Sequence, residues 1–197
     1  MKPNSRTVFS ERTLFFLRNL LKGLLWLSVI VGGYFYLKAN YSFTLQGVLG
    51  PLYDQPLVIY VIFLISEVVF GIIPPELFMI WSLRNELVLQ YIANVAALSI
   101  ISYMAGLIGY YLGSHFSTTH LYRVIRVNYL RRFERRFNQF GGFLVVVAAI
   151  TPLPFSGICM LTGAVKYPYR RFLYFSMIRF VRFAVYAAII WEANVLN

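Results

Sequence analysis

LVIYVIFLISEVVFGIIPPELFMIWSL, residues 57–83, would suit a lipid bilayer throughout but for Glu67, the pair Pro74-Pro75 and Glu76. Proline removes a backbone donor and clashes with the preceding turn, so the pair breaks a helix that reaches it. The arms on either side hold about 7–17 residues, roughly 10–25 Å of helix. Most such arms are too short to cross a hydrocarbon core of ~30 Å. The stretch therefore reads as a re-entrant hairpin that leaves by the face it entered.

A second stretch repeats the pattern. FGGFLVVVAAI (140–150) runs into Thr151-Pro152-Leu153-Pro154 and resumes as FSGICMLTGAV (155–165). Three further apolar runs are unbroken, at about 24–37, 87–113 and 172–191. The spacing predicts an all-α, polytopic integral membrane protein. Residues 1–56 form a basic N-terminus, an anchor helix and an external loop. Residues 57–191 form the membrane domain: hairpin 57–83, helix 87–113, basic amphipathic segment 114–138, hairpin 139–165 and helix 172–191. Each half of that domain reads arm, proline break, arm, short charged turn, long helix. An inverted repeat with discontinuous helices is a transporter signature, with the site near the midplane between the halves.

Composition agrees. The chain is 59% hydrophobic and 13% charged, with a mean hydropathy of +0.68, outside the range of soluble domains. The net charge of +11 is clustered beside apolar spans. Five basic residues precede the first span, six arginines lie in 115–137 and three basic residues in 166–171. Positive-inside topology accounts for this better than nucleic-acid binding. Treating both broken stretches as hairpins puts all three clusters on the cytoplasmic face of the cell (inner or plasma) membrane, with the N-terminus inside and Asn197 outside. The N-terminus resembles a signal sequence without a cleavage site and reads as an uncleaved anchor.

Glu67, Glu76, Arg179 and Arg182 lie inside apolar stretches. A charge at mid-membrane costs roughly 2.5–3.5 kcal/mol, so four unpaired ones would cost about 10–14 kcal/mol. Such residues persist when they pair or line a polar path. Glu67 lies ten residues past Leu57, and Arg182 ten residues past Phe172. Each is thus roughly 15 Å deep, from opposite faces. Arg179 shares a helical face with Arg182 at i, i+3. Convergence of the four near mid-membrane is expected, either as a transport site or as ion pairs that only fix the fold.

The segment 114–138 predicts an interfacial helix, with Leu130, Phe133, Phe137 and Phe140 at helical spacing beside Arg131, Arg132, Arg135 and Arg136. Those arginines either gather anionic headgroups or simply anchor the segment. Ala105, Gly109 and Gly113 form a small-residue stripe, read as close packing of the long helix on a hairpin rather than dimerisation, although oligomers are compatible with it. Trp81 and Trp191, near segment ends, fit an interfacial aromatic belt. Enzyme classes fare poorly. Ser156-Gly157 has no histidine in any span to serve as base. Cys159 is alone, and His115 and His120 lack metal-site spacing. Neither metal nor cofactor is expected.

GIIPPELFMIWSL (71–83), AGLIGYYLGS (105–114), FNQFGG (137–142) and TPLPFSGICMLTGA (151–164), followed by an aromatic-rich helix ending at Trp191, together resemble the DedA/VTT superfamily of membrane proteins. The resemblance spans about 57–191. It implies two re-entrant hairpins in an inverted repeat. It also implies translocation of phosphate-headgroup lipids, such as undecaprenyl phosphate or phospholipid, in some members linked to the proton gradient. Glu67 and Glu76 match the family's membrane-embedded acidic positions. The arginines that the family carries three residues before and three after its signature proline are absent here, where Ala149 and Phe155 flank Pro152. Arg179 and Arg182 are read as the same positive charge relocated across the cavity.

The expected function is a flippase-like lipid translocase whose tips, Pro74, Pro75, Pro152 and Pro154, gate a midplane passage. Protonation of a glutamate would free its arginine for phosphate and couple movement to a proton gradient. The alternatives are a non-transporting envelope assembly factor and a small-ion transporter. Membrane lipids with anionic headgroups are the expected partners.

Overall fold

The computed structural model describes residues 5–41, 47, 50–85, 87–116, 142–151 and 153–196, and among these all regular structure is helical. Helix α1 is Ser5–Tyr41. Hairpin one is α2, Pro56–Val68, and α3, Pro75–Trp81, prolonged by a 3-10 turn at Ser82–Asn85. Helix α4 is Val88–Phe116. Hairpin two is α5, residues 142–150, and α6, Phe155–Ala164. Helices α7, Tyr169–Ser176, and α8, Ile178–Val195, close the chain. Among the described residues, three segments are long and apolar enough to cross a membrane: Leu20–Leu37, Val88–His115 and Tyr169–Val195.

Helix α2 starts where Pro56 supplies a fixed helical φ at the first position. It buries Ile59, Phe63, Ser66 and Glu67, a single face at i, i+4, i+7 and i+8. It stops at Val68, five residues before the Ile73 that the sequence reading placed at the arm's end. The cause is a Schellman turn: the Gly71 N–H donates to the Ser66 carbonyl at 2.7 Å, and Phe70 sits left-handed at φ 63. The Ile73 N–H then donates to Ser66 Oγ at 2.8 Å, fixing the exit. Pro75 is therefore the first residue of α3 rather than part of the break. Helix α6 ends the same way, with Lys166 left-handed at φ 53 and the Tyr167 N–H donating to the Thr162 carbonyl at 3.1 Å.

Helix α4 is the central pillar. It packs against α2 and α8 and most extensively against α6. Glycine sets the closeness of that last contact. A Cβ on Gly109 would stand 2.7 Å from the Ser156 carbonyl oxygen, one on Gly113 would strike the Met160 carbonyl, and one on Gly163 the Tyr110 carbonyl. The small-residue stripe thus works within the chain, as its spacing implied.

Two details depart from the sequence reading. The last span has an offset at Met177, between α7 and α8. Trp81 is no interfacial anchor: it is 1% exposed, and its indole N–H donates to the Tyr53 carbonyl at 2.9 Å. The Arg84 Nη1 donates to the same carbonyl at 3.0 Å and its guanidinium lies 4.8 Å from the Trp81 ring. An indole whose one donor is satisfied packs well inside protein, so position along the segment misled.

Two apolar clusters result. One gathers residues of α1, α2, α3, α4 and α8 around Phe63, Trp81 and Phe183. The other gathers Val145, Ala148, Ala149, Phe155, Cys159, Tyr167 and Phe172. The embedded charges lie along the seam between them.

Candidate functional site

All four embedded charges meet. Arg179 Nη2 donates to both Glu67 oxygens at 2.8 Å. Ser102, on α4, closes the ring: its hydroxyl accepts from Arg179 Nε at 2.6 Å and donates to Glu67 Oε2 at 2.9 Å. Arg182 Nη2 donates to Glu76 Oε1 at 2.8 Å, and its Nη1 donates to the Thr151 carbonyl at 2.9 Å. The exposures of Glu67, Glu76, Arg179 and Arg182 are 2%, 1%, 3% and 6%. Pairing removes most of the penalty that isolated charges would carry in an apolar surround.

Local structure places these groups unequally. Glu76 stands in the first turn of α3, where the helix dipole favours an anion. Glu67 stands in the last turn of α2, where the dipole opposes it. The less favoured carboxylate has the richer set of donors, two from Arg179 and one from Ser102. Both arginines project from α8, one turn apart, so a single helix spans the two pairs.

Both α8 arginines reach residues around the second proline break. The Arg179 guanidinium lies 4.4 Å over the Phe155 ring. It also lies 5.7 Å from Phe183, of the other apolar cluster. Ala149 is fully buried, and the backbone beyond it, at Thr151, is reached by Arg182. Cations from α8 thus occupy the tip of a hairpin that carries no charge of its own.

The pairs border a cavity of ≈ 400 Å³ walled by both tips. Glu67, Glu76, Arg179 and Arg182 line it, as do Pro74, Pro75 and Pro154 from the breaks. The tips also touch each other: a Cβ on Gly157 of hairpin two would stand 2.8 Å from the Phe70 ring of hairpin one. Arg179 Nη1, in that lining, is a buried donor without a protein partner, and Ser156 Oγ, outside the lining, is another. Among the described residues no group of three histidine, cysteine, aspartate or glutamate side chains is placed to hold a metal.

Pro152 and the arginines Arg131, Arg132, Arg135 and Arg136, with most of the 114–138 segment, lie outside the described residues. Sequence reasoning missed Ser102 and the Thr151 carbonyl. Ser102 is one of two buried serines a turn apart on α4, with Ser99; only that polar interruption in an apolar helix marked it.

A scan against protein families matches the VTT domain over residues 58–192. No curated protein sequence matches the chain significantly, and no solved structure does. The match begins inside α2 and ends inside α8, so it takes in the whole charged site and leaves α1 out.

Proposed function

This chain belongs to the VTT-domain (DedA) family of membrane proteins, and from that membership we propose that it is a lipid translocase rather than an enzyme. Its cargo is a lipid with a phosphate headgroup, moved past the two hairpin tips near mid-membrane. One observation carries this reading: two buried carboxylate–guanidinium pairs border the tip cavity while Arg179 Nη1 retains an unused donor. A guanidinium is a strong, planar phosphate ligand, and unwound backbone beside half-helix ends adds amide donors. In the resting state each arginine is engaged by a carboxylate. Protonating a glutamate neutralises it, frees its arginine for an incoming phosphate and links headgroup movement to a proton gradient. The chain sits in the cell membrane as a multi-pass protein with its N-terminus cytoplasmic, and anionic lipids are its partners.

The test is reconstitution of the purified chain in liposomes carrying fluorescent phospholipid or polyprenyl-phosphate probes, with and without a pH gradient. Wild type is expected to move at least one probe faster than empty vesicles, with a rate that responds to the gradient. Equal rates for wild type, Arg182→Gln and empty vesicles would instead support the assembly-factor reading.

A further inference from the structure

Helix α1 lies outside the matched 58–192 region, yet it contributes one side chain to the charged cavity, Trp26. Its register explains how. Gly23, Leu27, Val31 and Phe35, spaced by four, are its buried stripe. This stripe packs on α3 and α8, the elements that carry Glu76 and Arg182. A neighbouring stripe, Trp26, Ile30 and Tyr34, runs along the same flank. Ile30 and Tyr34 are partly buried against the apolar cluster. Trp26, one turn before them, meets the cavity instead and remains 48% exposed.

We infer that Trp26 is the lateral gate of the cavity, the side chain that separates the charged pairs from surrounding lipid and sets which headgroups enter. This rests on the translocase reading for what enters, but the gate itself is a matter of access. An indole suits the task. It is bulky enough to cover a polar opening, its ring faces hydrocarbon without penalty, and its single N–H can meet a passing anionic oxygen. Its helix also makes fewer contacts with the bundle than α4 does, so moving Trp26 aside disturbs little of the core. Phe70, 50% exposed and also lining the cavity, belongs to the tip itself and meets Gly157 of the facing hairpin. It therefore separates the tips, whereas Trp26 separates the tips from lipid.

Access is measured on the full chain in liposomes with Leu153→Cys, a cavity-lining position, labelled by the lipid-soluble reagent N-phenylmaleimide. Native Cys159, fully buried, reports folding by remaining unlabelled. Trp26→Ala should raise labelling at 153 several-fold, and Trp26→Phe should return it close to the original rate. Unchanged labelling in Trp26→Ala, with Cys159 still protected, overturns the gate. Should Trp26→Ala expose Cys159, a Trp26→Cys/Leu153→Cys pair joined by a short cleavable cross-linker decides instead. Tethering must then suppress labelling of a third cysteine at Pro74, also in the cavity lining, and cleavage must restore it; unaltered labelling overturns the proposal. Increased access in a protein whose wild type moves no lipid leaves the gate standing and removes the translocase reading.

Discussion

Hairpin one and hairpin two share an order of elements but are held in place by different forces. Hairpin one brings Glu67 and Glu76 and is bound to α8 through ion pairs. Hairpin two has no charged residue from 137 to 165 and is bound to α4 by near-contact of backbones at glycines. The charged hairpin tolerates ordinary helix spacing because its partners are long side chains that span the gap. The uncharged hairpin receives one hydrogen bond from Arg182, at the Thr151 carbonyl, and the Arg179 guanidinium over Phe155; the rest is dispersion and apolar packing, which grow with proximity, and glycine allows that proximity. One segment brings the buried charges, and the other a closely fitted wall.

That contrast breaks most visibly when one member of a pair is removed. Arg179→Met leaves Glu67 buried beside a lone hydroxyl and is expected to cost about 3–5 kcal/mol, read as lost thermal stability in detergent. On the other side of the comparison, Gly113→Leu forces α4 away from α6 and should cost about 3 kcal/mol or more. Its signature is exposure of Cys159 to thiol reagents, which the Arg179 variant should show less. Comparable exposure in both would mean that the hairpins are not held independently.

Finer changes sharpen the picture. Ser102→Ala removes a hydroxyl that bridges both members of the first pair and should cost roughly 1.5–3 kcal/mol, as hydrogen bonds to charged groups do. Ser156→Ala, in hairpin two, deletes an unpartnered hydroxyl and should leave stability nearly unchanged by the same measurement. The smallest effect is expected from Phe70→Gly. Relief of a left-handed backbone is worth about 1–2 kcal/mol and offsets the lost ring contact with hairpin two. A large destabilisation would show that the Phe70 ring carries more of the tip-to-tip contact than its half-exposure implies.

The sequence made some of this legible and hid the rest for physical reasons. The four charges announced themselves because hydrocarbon penalises each one, and the glycine stripe did so because its spacing follows the helix repeat. Pro74 and Pro154 marked where the second arms begin, each as the N-cap of the helix that follows. Where α2 stops was not legible, since it depends on Phe70 adopting a backbone conformation that its side chain disfavours. Which glutamate meets which arginine depends on the relative rotation of α2, α3 and α8, which no local pattern records. Ser102 was hidden because serine in an apolar helix normally satisfies itself on the preceding turn, as Ser99 does on Ala96 at 2.7 Å. Trp81 shows the converse, a residue whose position suggested lipid and whose hydrogen bond places it in protein.

The central claim is that the buried pairs are the working part of the molecule and not merely staples between hairpin one and α8. Replacing both members of one pair at once separates these roles, because Glu67→Gln/Arg179→Gln removes the charges without stranding either. The measurement is lipid-probe flux in liposomes for this double variant beside wild type, with thermal stability recorded on the same preparations. The account predicts a folded protein, much closer to wild type in stability than either single variant, with flux reduced to that of empty vesicles. A folded double variant that moves lipid at the wild-type rate would contradict it.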